Sequence, residues 1–435
     1  MKKAAIWIAF ASFILPLIIS PRLFTYAVGG KTVLIRGLAF GIIACITLAI
    51  FFERKVAYRL HIAERVKKVA KHPIFLTLFV GAIALALSTI FAYDPVVAFF
   101  GELTRAEGAL TLYSFLAFAF GVAVVFSRKN WNHYFVATSL LGIATLGLML
   151  WQISRGSDRP DALIGNPIFL ATYLLFTFFT GAMSWIAGKK EFNRFYKVVG
   201  ILAMVTSVIG ILLTKTRGTI FAFAVAAVVS LVVLLVKGKG TMLGKKTLRF
   251  WSAIILGLII VVTGLFVATK KNTFWQRVPG FNRLAETSLS EGSAAARIEF
   301  TTLSLNGFFG ESGATRMLFG WGWDNYLYFF QDQYNPIIFQ YESKLADRSH
   351  DKLVDVLVMS GIVGLILYLA AWFLLFKYTF RIMRKYLSVG LAILFFLVAY
   401  FVNNLFTFDV TSTYLAFYAV VAFIVFNALE SSHES

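Results

Sequence analysis

The sequence predicts an all-α polytopic membrane protein of about twelve spans, with one large polar insert between the ninth and the tenth. Three observations carry that class. Of 435 residues, 59% are hydrophobic and only 14% are charged, too apolar for a soluble chain of this length. Runs of about twenty apolar residues recur, each long enough to cross hydrocarbon. In lipid such a run must be a helix, because no water is there to satisfy the backbone. The third observation is that Lys270 to Ser349 is the one long polar stretch.

In chain order the apolar runs are Ala4–Ile19, Val33–Phe52, Ile74–Ala92, Ala109–Phe126, Tyr134–Ile153, Pro167–Ala187, Val198–Leu213, Thr219–Val236 and Trp251–Ala268. After the insert come Leu353–Phe376, Leu387–Phe401 and Tyr414–Leu429. The organisation is therefore spans at 1–269, an insert with short helices at 270–349 and spans at 350–435, integrated as a single membrane domain. The first run follows Met1-Lys2-Lys3 and has a second reading as a signal peptide, with Ala27-Val28-Gly29 as a poor cleavage site. Cys45 is the lone cysteine and lies in an apolar run, so no disulfide or cysteine metal site is expected.

Net charge is +20. Sorted by alternate connections, one side holds twenty-four lysines and arginines, from Lys2 and Lys3 through Arg54–Lys71, Lys245 and Lys385. The short connections of the other side hold eight: Arg22, Lys31, Arg36, Arg105, Arg155, Arg159, Lys215 and Arg217. Positive residues stay inside, so both termini are expected in the cytoplasm and the insert outside. Much of the charge is then a topology signal and a contact with lipid headgroups. No nucleic-acid motif accompanies it. The stretch Arg54–Lys71 interleaves Val56, Leu60, Ala63 and Val66 with basic residues, and reads as an interfacial amphipathic helix.

The insert carries aromatics such as Phe274, Trp321, Trp323, Tyr326, Phe329 and Tyr341, so it can bury surface. Ser293–Asn306 reads as a short amphipathic helix carrying Arg297, with Ala294, Ile298 and Leu305 on one stripe and Asn306-Gly307 as its stop. Phe319 to Tyr326 reads either as a turn presenting aromatics to a ligand or as an aromatic belt at the headgroups.

Of five histidines, His61, His72, His133 and His433 fall on the cytoplasmic side or its edge, and His350 faces out. It follows Ser349, a natural N-cap, in the first turn of the tenth span. A helix N-terminus disfavours imidazolium, so the ring is expected to be neutral near pH 7, as a general base requires. Its titration is expected at about 6.5 or somewhat lower. Asp351 complements the dipole, and Asp355, deeper in the span, needs a partner. Thr214-Lys215-Thr216-Arg217-Gly218 joins two runs across the outer face. Arg217 at a helix start, with hydroxyls and Gly218 beside it, makes an anion site; the plainer reading is a snorkelling helix-end charge. Arg105 stands similarly before the fourth run, or pairs with Glu102 or Glu107. Asn166 opens the sixth run from the same face. Round one outward cavity, these groups suit a phosphate or pyrophosphate at the bilayer surface.

The order of these motifs resembles the O-antigen ligase and O-antigen polymerase superfamily of bacterial membrane glycosyltransferases. The resemblance rests on Arg217-Gly218 opening a mid-chain span, on an outer loop with an arginine on a helix, and on His350, Leu353, Gly361 and Gly364 closing that loop. Gly165-Asn166-Pro167, and Arg105 followed by Gly108, resemble it too. Many members have asparagine directly after the histidine, where this chain has Asp351. The resemblance implies a glycan donor on polyprenyl pyrophosphate at the outer face of the cytoplasmic membrane. His350 would take the acceptor's proton, and Arg217 and Arg297 would hold the pyrophosphate, with inversion and without metal or cofactor. It implies a glycolipid, glycan or protein acceptor, which leaves ligase, polymerase and protein O-oligosaccharyltransferase open. A secondary transporter is the reading from another class. Such proteins usually show two similar halves, whereas this chain has one asymmetric insert.

Overall fold

The computed structural model describes residues 1–20, 27–190, 193–240, 242–243, 246–285, 292–333, 336 and 346–431. Arg22, Lys245, Tyr341 and His433 lie outside the described residues.

Helix α1 (Lys2–Ala11) runs into a 3-10 turn at Ser12–Leu17. Then follow α2 (Gly29–Phe52), α3 (Val56–Ala70), α4 (Pro73–Ile90), α5 (Pro95–Phe100), α6 (Ala109–Val125), α7 (Arg128–Ser154), α8 (Pro167–Lys190), α9 (Arg194–Leu213), α10 (Arg217–Lys237) and α11 (Leu248–Thr269). The insert holds α12 (Thr273–Arg277), α13 (Phe281–Ala285), α14 (Gly292–Glu311), α15 (Ala314–Phe319) and α16 (Tyr326–Asp332). Finally come α17 (Lys352–Lys385), α18 (Leu387–Asn404) and α19 (Thr411–Ser431). Strands β1 (Met242–Leu243) and β2 (Lys246–Thr247) pair antiparallel before α11.

Each of the twelve apolar runs contains helix, and among the described residues ten helices are long and apolar enough to cross a membrane. The chain is thus an all-α polytopic membrane protein. Of the other two runs, α6 has 17 residues and α1 only 10. Local chemistry sets the starts. His72 Nδ1 caps Ile74 N ahead of Pro73, and Ser127 with Asn130 forms a capping box at α7. Arg36 lies within α2 rather than in a connection, and reaches the carbonyls of Phe100 and Ala106.

Successive connections alternate between two ends of the bundle. At one end Lys31 Nζ donates to Leu163 O, Arg159 to Thr214 O, and Tyr93 N to Trp321 O. At the other, Arg65 donates to Phe126 O, Arg128 to Asn427, and Lys190 lies 4.8 Å over the Tyr386 ring. The insert belongs to the first end. At the second, α3 buries Ile62 and Val69 against the bundle while Val56 and Leu60 stay exposed.

The insert has a core of its own. Phe300, Phe308, Trp321, Trp323, Tyr326, Phe329 and Phe330 pack with Val354 and Val356–Met359 of α17. So the Phe319–Tyr326 turn is buried structure rather than an exposed belt. Helix α14 does not stop at Gly307 but continues to Glu311. The glycine is a packing position: a Cβ there would meet Gln333 Oε1 at 2.5 Å. The buried stripe is Ala296, Phe300, Ser304 and Phe308, and Ile298 is exposed.

Helix α17 breaks at Gly361, whose φ of +69° and ψ of −174° are open to glycine and costly for other residues. The break lets the insert cross the span. Trp321 N donates to Val358 O and Gly322 N to Met359 O, at 2.9 and 3.0 Å, and Ser88 Oγ also reaches Met359 O. Carbonyls that the break would orphan inside the membrane are thereby satisfied.

Candidate active site

Two centres form at the insert end. The first surrounds His350. The helix cap is Asp351, not Ser349: Asp351 Oδ1 accepts from Leu353 N and Val354 N. His350 therefore stands just before the helix, in the left-handed region at φ +64°. Ser349 has another task. Its N and Oγ both donate to Asp355 Oδ1, at 2.7 and 2.8 Å, so Asp355's partner is the turn that carries the histidine.

The His350 ring lies between Phe300 and Phe408, with centroids at 6.0 and 5.2 Å. Its Nδ1 is buried and has no hydrogen-bond partner. Burial lowers its pKa to about 4; the Arg297 charge adds to this, and Asp347 opposes it. The ring is neutral, as expected, but the first cause is burial rather than a helix dipole. The Asp351 carboxyl is pushed up by burial, against the two backbone donors it caps.

Charges alternate around the ring. Arg105 Nε and Nη2 grip Asp347 Oδ2 at 2.6 and 2.5 Å, so Arg105 pairs with the insert rather than with Glu102 or Glu107. Burial pushes the Asp347 carboxyl up, but Arg105 and Arg348 outweigh it and hold it below the usual range. Arg348 is buried and ion-paired to Asp324, with Glu107 at 3.9 Å. Asp324 Oδ2 also accepts from Glu102 N. Burial pushes the Glu107 carboxyl up to about 8 against the pull of Arg105 and Arg348, and its Oε1 lacks a partner.

The second centre is the start of α10. Arg217 is the first helical residue, and its Nη1 donates to Arg283 O at 3.5 Å. Arg283 Nη1 in turn donates to Lys215 O at 3.5 Å. Arg159 Nε holds Thr214 O at 3.0 Å. Burial, then the like charges of Arg283 and Arg217, lower the Arg159 pKa. Lys215, at φ +53°, is ion-paired to exposed Asp158. Gly218 allows a close approach, but by Phe406: a Cβ would lie 3.1 Å from the Phe406 Cβ. Asn166 Oδ1 accepts from Ile168 N at 2.8 Å, a cap ahead of Pro167.

The α18–α19 connection joins the two centres. Phe406 lies against Gly218, and Phe408 touches Phe169, His350 and, at 4.4 Å, the Arg105 guanidinium. Two residues of extended chain measure about 7 Å, so the centres stand side by side. Next along the chain, Asp409 accepts from Asn404 and Thr413 and pairs with Lys352 Nζ at 3.1 Å, while Lys352 also donates to Tyr414 OH. Sequence reading did not single out Arg159, Arg283, Asp324, Asp347, Arg348, Lys352, Phe408 or Asp409. Asp409 had a signal, an acid between two apolar runs.

Residues 202–369, from α9 into α17, match the family model described as O-Antigen ligase. The likeness to O-antigen ligases rests on this segment, which supports the superfamily assignment. It contains Lys215, Arg217, Arg297, His350 and the Gly361 break. The match supports an enzyme of the glycan-transfer type. No curated protein matches the chain.

Proposed function

We propose that the chain transfers a glycan from polyprenyl pyrophosphate to an acceptor hydroxyl at the outer face of the bacterial cytoplasmic membrane. The observation that carries this reading is a neutral, half-buried imidazole whose buried Nδ1 has no protein partner, standing beside Arg297 and next to the Arg217 centre. In the proposed reaction His350 removes the acceptor's hydroxyl proton. The oxygen attacks the anomeric carbon as the bond to the pyrophosphate oxygen breaks, with inversion. The leaving group departs as polyprenyl pyrophosphate, its growing charge met by Arg217 and Arg297. Lys215 and Arg105 add positive potential. Asp351, Asp355 and Asn166 support the reaction from outside, through the caps and turns that hold the reacting segments. Arginines take the part a divalent ion plays elsewhere, and no cofactor enters the scheme.

The lysine and arginine asymmetry supports the orientation, with both termini in the cytoplasm. A reporter active only outside the cytoplasm is expected to work when fused after Gly310 and to fail after Gly240; the reverse pair would overturn it. The reaction itself is tested with purified protein, a lipid-linked glycan donor and chelator. Transfer to a glycolipid or protein acceptor, with release of polyprenyl pyrophosphate, is the expected result. Growth of the glycan on its own carrier would identify a polymerase instead. Solute uptake into proteoliposomes without transfer would refute the reading.

A further inference from the structure

A cavity of about 160 Å³ lies behind α17 from Lys352 to Leu375, away from the Arg217 centre. Its walls come from α4, α6, α17, α18 and α19 and are mostly apolar, with Thr77, Ser360, Tyr368 and Tyr400 among them; the charged groups lie at the insert end. There Lys352, Asp409 and Tyr414 close it, with Trp323 above them. On α4 the lining runs from Ile74 to Leu85, about 16 Å of helix at 1.5 Å per residue. On α17 it runs from Lys352 to Leu375, about 34 Å along the helix, so the cavity is deep enough for a whole acyl chain. On the other face of α4, Leu76, Val80 and Ile83 are exposed, so a single helix separates the cavity from the bilayer.

The polar end narrows the choice of occupant. Lys352 is matched by Asp409 and Tyr414, so no anionic headgroup is called for. Trp323 is buried, yet its Nε1 donates to nothing. A buried donor of this kind wants an acceptor. A neutral carbonyl at the head of a hydrocarbon chain meets both conditions; a pyrophosphate does not.

We propose that this cavity holds one acyl chain of a membrane glycerolipid, with its ester oxygen at Trp323 and its tail running toward Ile74. The site is separate from the glycan chemistry and does not rest on it. Its occupant is a resident lipid of the bilayer.

The test uses the full chain in liposomes that contain a phospholipid with a diazirine on its acyl chain. After illumination, labelled peptides are mapped by mass spectrometry. Label, mapped to the residue, is expected on the buried lining residues Ala84, Leu85, Val356 and Trp372, besides the exposed helix α11. Gly81 lines the cavity and a Cβ there meets nothing within 4 Å, so Gly81→Leu fills the space without a clash. Loss of the internal label in Gly81→Leu, with α11 label unchanged, is the expected result. Trp323→Phe keeps a ring, removes the donor and is expected to weaken the internal label. Label confined to the perimeter, or internal label untouched by both substitutions, would overturn the proposal. So would an isoprenyl phosphate probe that displaces the acyl probe from these peptides.

Discussion

The His350 and Arg217 centres are neighbours built on opposite electrostatic plans. Around His350 the charges alternate. Arg105 answers Asp347, Arg348 answers Asp324, and two aromatic rings flank the histidine. At the start of α10, like charge gathers: burial, then Arg283 and Arg217, lower the Arg159 pKa, Arg217 and Arg283 donate to backbone carbonyls, and Lys215 leans on an exposed carboxylate. The first plan suits a group that must stay neutral and in place until it takes a proton. The second suits a polyanion that arrives from outside. The contrast also explains why Arg105, alike in sequence to Arg217, differs from it in the fold: the insert supplies it with Asp347.

The contrast breaks most sharply at the base. His350→Asn keeps a residue type that tolerates φ near +64°. It is expected to lower kcat by about 10²–10⁴-fold, the range for a general base, with KM little changed. Arg348→Met should act on the fold instead. It strands Asp324 and Glu107 as buried acids, at a cost of about 3–5 kcal/mol. Thermal unfolding of the variant is the readout. A stability unchanged from the parent would mean that the alternating charges hold nothing together.

Arg217→Ala and Arg297→Ala are each expected to cost about 2.7–4 kcal/mol in barrier, seen in kcat, with the fold intact. A pH series sharpens the comparison further. The neutral ring is the active form, and burial holds its folded pKa at about 4, below the ordinary 6.5. Activity is therefore expected to hold through neutral pH and to fall as pH drops through about 4. Between 6.5 and 4 the unfolded ring binds a proton that the folded ring refuses, so stability should also fall with pH across that window. A kcat/KM that titrates at the ordinary value would place the ring in water. The smallest effect belongs to Lys215→Met: its pair with exposed Asp158 is expected to matter within about 1 kcal/mol of stability.

The spans, the insert and His350 were legible because hydropathy and charge patterns are local. The break in α17 was half legible. Gly361 stood out, but its backbone angles follow from the insert crossing beneath it, with Leu318 O where a Cβ would be. Pairings were not legible. Asp347 and Asp324 looked like ordinary polar insert residues, and only the fold brings them to Arg105 and Arg348 across more than 240 positions in the first case. Ser349 read as the cap, but Asp355, deeper in the helix, takes Ser349 for itself, and Asp351 caps instead. At Gly307 a stop signal gave way to packing against Gln333.

The most direct test of His350 as the base is rescue. His350→Gly leaves a ring-sized space at a backbone angle that glycine adopts freely. The measurement is the initial rate of glycan transfer by this variant, with and without added imidazole. The expected result is a loss of about two to four orders of magnitude, partly restored by imidazole in its neutral form. Wild-type rates in His350→Gly without imidazole would contradict it.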